Sequence, residues 1–460
     1  MSYDYGLKGK NIFMTGIAGS SMCGIAYILS DIGCNVSGSD RNLPADRSAF
    51  EFRGIKVYDK HEASNIPADC DILVYTAAVD SSNPEVVEAR KRGIEILSRA
   101  QFLGRVIDCF DNRIGISGTH GKSTTSSMIA TCMADSAKKY SYNVGCVVRS
   151  DVDMPVSNGQ DYFVFEACEY RDSFLNFRSD VAIILNIELE HLDYFNNLEQ
   201  VLTSFKKFAN NISQGGNLVI NMDDSNTKAV AAKVRPDINV VTCSSTDSTA
   251  DYYPINVEYD DDACASYTIY ENGKPGAKIK LRIPGEHNVI NSLCACAAMR
   301  KAGLSWGEIV DGIAKFRGSG RRFDFKCNVG SLAIYDDYAH HPSEIRASIN
   351  TAKKLKKPVC VVFQPHTFSR TKHLMKDEAA ALSLADQVIM VDIYAAREAD
   401  PGDINSQMVS DLINRKGGNS VYMASFAEVQ EYLKTVAHEE KTVITMGAGD
   451  VYKVADFFAK

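Results

Sequence analysis

Short apolar runs alternate with amphipathic stretches along nearly the whole chain, and a chain patterned this way packs as strands alternating with helices, with largely parallel sheets. In the first third, NIFMTGI (11–17) reads as a strand, followed by a glycine-rich turn, a helix-like SMCGIAYILSDIG and further strands at CNVSGSD and DILVYTAA (71–78). The middle opens with RIGISGTH (113–120), then a helix from Lys122 and strands near 162–167 and 181–187. Segments 265–271 and 277–283 alternate polar and apolar residues around Asn272-Gly273, which predicts a hairpin and makes the middle sheet mixed. The last third resumes the alternation, with strands expected at 331–336, 358–363, 387–393, 420–423 and 441–446.

At 460 residues the chain holds several domains. The expected fold class is α/β with three domains, bounded at 1–107, 108–319 and 320–460. The second boundary falls in FRGSGRRF, where glycines and arginines interrupt both periodicities and suggest a hinge. A net charge of −8 offers no broad attraction to nucleic acid or anionic lipid. No apolar run reaches the roughly 20 residues of a membrane helix, and MSYDYGLKGK lacks a secretory apolar stretch. No nucleic-acid partner, no membrane insertion and a cytoplasmic location are therefore expected. Thirteen dispersed cysteines without a CxxC pair read as reduced thiols, mostly buried.

The strongest chemical signal is GISGTHGKSTT (115–125), a strand entering a turn with Gly118, Thr119, His120 and Gly121, then Lys122, Ser123 and Thr124 at a helix start. Such a turn aims backbone amides and the positive helix end at phosphates, the lysine adds charge, and the Ser123 hydroxyl suits Mg²⁺. Ile116 stands where the usual phosphate-loop pattern has its first glycine, so the loop is a variant. A second turn, with Gly16, Ala18, Gly19 and Ser20 and with Asp40 closing the next strand, resembles a dinucleotide fingerprint; a diphosphate ligand and a purely structural turn both remain open. Its glycine spacing does not favour NAD.

Glu166, with Glu169 three residues on, and His191 end two further strands, where ligands of open parallel sheets collect. Both could coordinate a cation shared with ATP phosphates. Asn288 and Asn291 lie one turn apart at the start of an apolar helix, where amides can read a base edge or cap the helix. Arg321-Arg322 can reach a phosphate. Asp336, Asp337, His340 and His341 gather at one strand end, and His366 and Arg370 follow the next.

Together GIAGSSMCGIA, GTHGKSTT, EACEYRDSF, NIELEHLDYF, GEHNVIN, GRRFDF, DDYAHHPSEI and FQPHTFSRTK resemble the Mur ligase family, ATP-dependent amide-forming enzymes of peptidoglycan synthesis. DDYAHHP joined to QPHTFSRT is similar to the alanine-adding branch, and the tripeptide-recycling branch ranks second. The resemblance implies a Rossmann-like domain for the UDP-sugar, a central P-loop-type ATPase domain and a Rossmann-like carboxy-terminal domain that closes over both. It implies UDP-N-acetylmuramate, L-alanine and ATP as substrates, Mg²⁺ as cofactor, and a monomer or homodimer.

By the same resemblance, Lys122 binds the β- and γ-phosphates, Ser123, Glu166 and His191 hold metal, and Asn288 and Asn291 sit at adenine. Arg322 and Asp337 meet the nucleotide, Gly16, Ala18, Gly19, Ser20 and Asp40 serve the UDP-sugar, and His341, His366 and Arg370 lie near alanine or the acyl group. Cys168, Tyr170 and Thr367 depart from the branch's usual residues, and Lys206 stands at the offset of a lysine that some members carbamylate; a solvated helix lysine is the preferred reading there. A nucleotide-sensing protein without chemistry and an NAD-dependent oxidoreductase are the readings from other classes.

Overall fold

The structure is a computed structural model describing residues 6–191 and 193–459; the first five residues of the expected first domain lie outside it. Two compact units emerge. The first takes in residues up to Pro254 with Ile269–Ala277 and Asn291–Phe316, and the second takes in Ile255–Thr268, Lys278–Ile290 and everything from Arg317.

The first sheet has five parallel strands in the order Lys56–Tyr58, Asn35–Ser39, Asn11–Thr15, Ile72–Tyr75, Glu95–Ser98. Successive side chains leave a strand on opposite faces. Ile12 and Met14 therefore enter one apolar cluster, with Ile25, Ile28 and Leu29 of the helix Ser20–Asp31, while Phe13 enters another with Val86 and Ala89. Both faces are covered, which is why Asn11–Thr15 and Ile72–Tyr75 read as nearly continuous apolar runs. The chain order reverses at Asn11–Thr15, so the glycine turn that follows Thr15 lies at the switch point, where such sheets bind ligands.

The second sheet has nine strands, in the order 274–284, 264–271, 252–259, 239–243, 217–221, 181–184, 112–117, 162–166, 140–143. Asn272 and Gly273, with φ of 50° and 75°, form the turn between Cys264–Glu271 and Lys274–Pro284. Those two left-handed residues are what a tight two-residue hairpin demands. Register pairs Ile116 with Glu166 and Ser117 with Ile184, so the phosphate-loop candidate, Glu166 and the segment from Leu185 leave the sheet at one edge. The helix Lys122–Asp135 is buried along most of its length. A Cβ on Gly312 would meet Cys132 Cα at 2.5 Å, so the helix Trp306–Lys315 can lie against it only with glycine there.

The third sheet has six strands in the order 324–329, 332–337, 441–446, 359–363, 387–390, 420–422, antiparallel only at its first pair. Val361 and Phe363 face one cluster, Cys360 and Val362 the other. The strand Asp324–Val329 was not expected: it starts one residue after the arginine pair, where the periodicity of FRGSGRRF breaks down. Asp337 and Phe363 both pair with Met446, so the loops bearing His340, His341 and His366 leave the sheet at one edge. Among the described residues no helix is long and apolar enough to cross a membrane.

Candidate active site

The loop from Gly118 to Gly121 is held by the segment that follows the strand Val181–Ile184. Thr119 N donates to Asn186 O at 3.0 Å, His120 N donates to Asn186 Oδ1 at 2.7 Å, and Glu188 N donates to Thr119 Oγ1 at 2.9 Å. Gly118 and Gly121 adopt φ of 138° and 86°, conformations that L side chains resist. Gly121 precedes Lys122–Asp135 without any side-chain cap, so the first amides of that helix keep their donors for a ligand. A Cβ on Gly121 would lie 2.7 Å from Asn291 Oδ1, which places Asn291 directly against the loop. Asn288, by contrast, donates Nδ2 to Pro284 O at 2.7 Å and anchors the preceding strand end.

Lys122 folds back over its own loop. Its Nζ donates to Gly118 O, to Thr119 O at 3.0 Å and to Glu169 Oε2 at 3.1 Å. Burial pulls the ammonium pKa down, but Glu169, Cys168 and Glu166 outweigh it and leave the pKa above its usual value. Burial likewise pushes the Glu169 carboxyl up, and Lys122 and His191 bring it below the ordinary range. His191 reaches Glu169 Oε1 at 3.7 Å. Burial opposes its charged form, yet the neighbouring Cys168 and Glu169 side chains raise its pKa to about 9. Its backbone holds φ at 57°, and its ring lies 4.6 Å from that of Tyr170.

Glu169 is aimed inward by the turn behind it. Arg171 and Asp172 both take positive φ, and Asp172 accepts from Tyr194 Oη at 2.8 Å and from Ser204 Oγ. Phe174 locks the turn between Phe205 and Phe208. Glu166 instead accepts from Gly145 N at 2.9 Å. The reading from sequence named Glu169 only as the neighbour of Glu166; the spacing of two carboxylates was visible, but which of them meets His191 and Lys122 depends on the left-handed turn. Ser123 is buried at the start of the helix, and Lys206 is exposed on the helix Leu198–Asn210.

An ion shared with phosphates would find a suitable donor set here. The Ser123 hydroxyl and the Glu166 carboxylate supply the hard oxygens that Mg²⁺ prefers, and Glu169 Oε1 is a buried oxygen without a hydrogen-bond partner.

At the first sheet, Gly16 and Ile17 donate to Ser39 O at 2.7 and 3.1 Å. A Cβ on Gly16, whose φ is 85°, would meet Thr76 Cγ2 at 2.5 Å. The helix Ser20–Asp31 begins after Gly19 without a side-chain cap, and Gly19 and Ser20 are exposed. Asp40 accepts from Ala18 N at 3.0 Å, which braces the turn, and with its other oxygen from Asn42 N at 2.9 Å in its own loop. Ser21 exchanges hydrogen bonds with Asn143, and Arg99 donates to Ser21 Oγ at 3.0 Å. Burial lowers the Arg99 pKa, while Cys168 and Glu166 work against that shift; sequence reading missed this arginine, which no motif marks.

In the second unit Arg321 donates to Asp336 at 3.1 Å and to Gly447 O at 2.7 Å. Arg322 lies 3.6 Å from Glu344 and over the Tyr338 ring. Asp337 is buried; it accepts from Ser348 Oγ at 2.7 Å and from Ala339 N at 3.0 Å. Burial raises its pKa to about 6 against the opposing pull of Ser348 and Arg322. His341 caps the helix Pro342–Lys353, in a reciprocal arrangement with Glu344. His366 stacks on Tyr394, with the His340 ring 6.0 Å away and edge-on, and Arg370 donates to His340 O at 3.4 Å. His341 and His366 thus belong to neighbouring loops at one sheet edge, and Arg370 lies in the first turn of the helix Phe368–Leu382 that follows His366.

Three family descriptions match in succession: Mur ligase family, catalytic domain, over 11–110; Mur ligase middle domain over 116–299; and Mur ligase, glutamate ligase domain, over 321–449. The UDP-N-acetylmuramate--L-alanine ligase of Agathobacter rectalis is 42% identical over 454 residues, covering 98% of each chain. The chain belongs to the Mur ligase family. A second relative of this Mur ligase, from Acetivibrio thermocellus and of the same name, is 39% identical over 98% of the chain and 96% of its own. The crystal structure of a UDP-N-acetylmuramate-alanine ligase from Thermotoga maritima superposes with a TM-score of 0.80, at 26% identity over 97% of this chain and 98% of that one. This Mur ligase therefore has the family's three-domain α/β fold, with a parallel first sheet, a mixed central sheet and a mostly parallel last sheet.

Proposed function

We propose that this Mur ligase is a UDP-N-acetylmuramate--L-alanine ligase acting in peptidoglycan precursor synthesis. ATP phosphorylates the lactoyl carboxylate of UDP-N-acetylmuramate, the alanine amine attacks the acyl phosphate, and the tetrahedral intermediate expels phosphate, giving ADP, phosphate and UDP-N-acetylmuramoyl-L-alanine. Full-length identity to the relatives above supports the substrate pair. A carboxylate is a poor acyl donor because oxide leaves badly, and phosphorylation supplies the leaving group. Phosphoryl transfer itself calls mainly for positioning and neutralised charge.

The observation that carries the reading is the uncapped helix start behind Gly118–Gly121, with Lys122 folded over it. In this reading the loop amides and Lys122 hold the β- and γ-phosphates, and Lys122 leaves Glu169 to do so. Mg²⁺, when bound by Ser123, Glu166 and His191, supplies further charge neutralisation. Asn291, with Asn288 behind it, serves adenine; Arg322 and Asp337 serve the nucleotide. The turn from Gly16 to Ser20, braced by Asp40, takes the UDP diphosphate, and His341, His366 and Arg370 take the amino acid. The domains run 1–107, 108–319 and 320–460. The reaction places the enzyme in the cytoplasm, where its nucleotide substrates are.

The test is phosphate release with UDP-N-acetylmuramate, Mg-ATP and a panel of L-alanine, glycine, L-serine and a murein tripeptide. L-Alanine should give the highest turnover. Glycine should trail by no more than about 10- to 200-fold, since one methyl discriminates by ~1–3 kcal/mol. Phosphate release that no amino acid stimulates would overturn the assignment.

A further inference from the structure

The proposed reaction gives Cys168 no role, although this thiol stands beside two residues that have one, Glu169 and His191. Cys168 Sγ, a Glu169 carboxylate oxygen and a His191 ring nitrogen lie within 4.8 Å of one another. His191 Nε2 and Glu169 Oε1 are already 3.7 Å apart. Tetrahedral Zn²⁺, with bonds of about 2.0–2.3 Å, needs its ligand atoms roughly 3.3–3.7 Å apart. Small side-chain rotations therefore close the set.

A second observation points to a ligand independently. Glu169 is 1% exposed, and its Oε1 is buried with no hydrogen-bond partner, while Oε2 is taken by Lys122. A carboxylate oxygen removed from water and left without a donor is costly, and a cation at this point would remove the cost. The donor types select the ion. A thiolate and an imidazole favour borderline and soft divalent ions, whereas Mg²⁺ takes oxygen ligands. Three protein ligands leave the fourth tetrahedral position open.

We infer that Cys168, Glu169 and His191 form a site for Zn²⁺ or a similarly thiophilic divalent ion, and that this ion holds the phosphate loop in its resting state. Binding releases two protons to solvent, the thiol proton of Cys168 and the imidazolium proton of the ligating His191 nitrogen, and engages Glu169 Oε1. Glu169 then stays fixed with Lys122 on its other oxygen, and His191 is withdrawn from the Mg²⁺ set. The ion site rests only on this geometry; its inhibitory effect rests on the ligase reading.

The experiment titrates the reduced full-length protein with Co²⁺ as a spectroscopic substitute and reads the thiolate-to-cobalt absorption band in the near ultraviolet. Wild type should develop the band with one equivalent and lose it on adding equimolar Zn²⁺. Cys327→Ser, which changes a thiol in the last sheet, should behave as wild type. Cys168→Ser and Cys168→Ala should both lack the band while keeping native circular dichroism, and His191→Ala should bind Co²⁺ at least tenfold more weakly. In the phosphate-release assay the Zn²⁺ concentration for half inhibition should rise at least tenfold in Cys168→Ser. A wild-type protein without the band, or a band that survives both Cys168 substitutions, overturns the site. A Cys168-dependent band in a protein that releases no phosphate upholds the site and overturns the ligase reading instead. A Cys168-dependent band with unchanged Zn²⁺ inhibition overturns the locking role.

Discussion

The Lys122 ammonium lies 3.1 Å from the Glu169 carboxylate, which is buried in the first unit, with Lys122 half-buried beside it. The lysine that should receive a triphosphate is thus neutralised within the protein, and ATP must exchange one anion for another. Lys122→Ala should abolish phosphate release. Breaking a buried pair from one side leaves an uncompensated charge, so Glu169→Ala should lower unfolding free energy by about 3–5 kcal/mol, as measured by urea denaturation. A loss below 1 kcal/mol would mean that the pair is open to solvent.

Gly121→Ala faces both a left-handed φ of 86° and a 2.7 Å approach to Asn291. The substitution should cost about 1–3 kcal/mol and raise the KM for ATP at least tenfold. Asn291→Ala in the same protein removes the clash and leaves the backbone strain, so the double variant should recover part of the lost stability. A double-mutant cycle on denaturation midpoints reads the coupling; strict additivity would show that Asn291 does not press on the loop.

Asp40 receives the Ala18 and Asn42 amides. Asp40→Asn keeps one acceptor oxygen and weakens the brace of the first glycine turn. The KM for UDP-N-acetylmuramate should rise several-fold while the KM for ATP stays within twofold, as measured in steady-state kinetics. An equal rise in both would show a general loss of fold.

The second unit carries two opposed titrations. Burial lowers His287 from 6.5 to about 4, against Glu344, while Arg322 adds to the fall; Asp337 is raised from 3.8 to about 6. Between pH 4 and 6 the folded state holds fewer protons than the unfolded at His287, so that group's contribution to stability rises with pH. At Asp337 the folded state holds more, so its contribution falls with pH. The two largely cancel. Stability of the wild type should be nearly flat across this window, should climb with pH in Asp337→Asn and should decline with pH in His287→Gln. Thermal melts at half-unit pH steps test the signs, and parallel slopes in all three proteins would refute the pairing.

Much of this was legible in the sequence because the determinants are local. Strand, glycine turn, Lys122 and Ser123 follow one another within a dozen residues, and the hairpin at Asn272-Gly273 is written in two. The short strands Lys56–Tyr58 and Glu95–Ser98 escaped notice because they are brief, only partly buried and carry no continuous apolar run. Non-local choices were hidden as well. Glu169 meets Lys122 because Arg171 and Asp172 adopt left-handed conformations secured by Tyr194 and Ser204, residues 22 and 32 positions beyond Asp172. The place of Asp40 at a strand end suggested a ligand-facing acid; that one of its oxygens braces the glycine turn through Ala18, 22 residues earlier, is a contact no local pattern announces. Asn288 and Asn291 share a helix face in sequence, yet Asn291 presses on the loop at Gly121 while Asn288 donates to Pro284 O.

The small cluster of Ser21, Arg99 and Asn143 joins the helix after the first glycine turn to the edge strand Tyr140–Asn143 of the central sheet. Anyone grafting the amino-terminal segment of another ligase onto this chain would have to transplant that triplet as a set. A donor lacking the serine or the arginine would strand Asn143 beside an ill-fitting neighbour, and the hybrid would fail at the seam however well its separate parts fold.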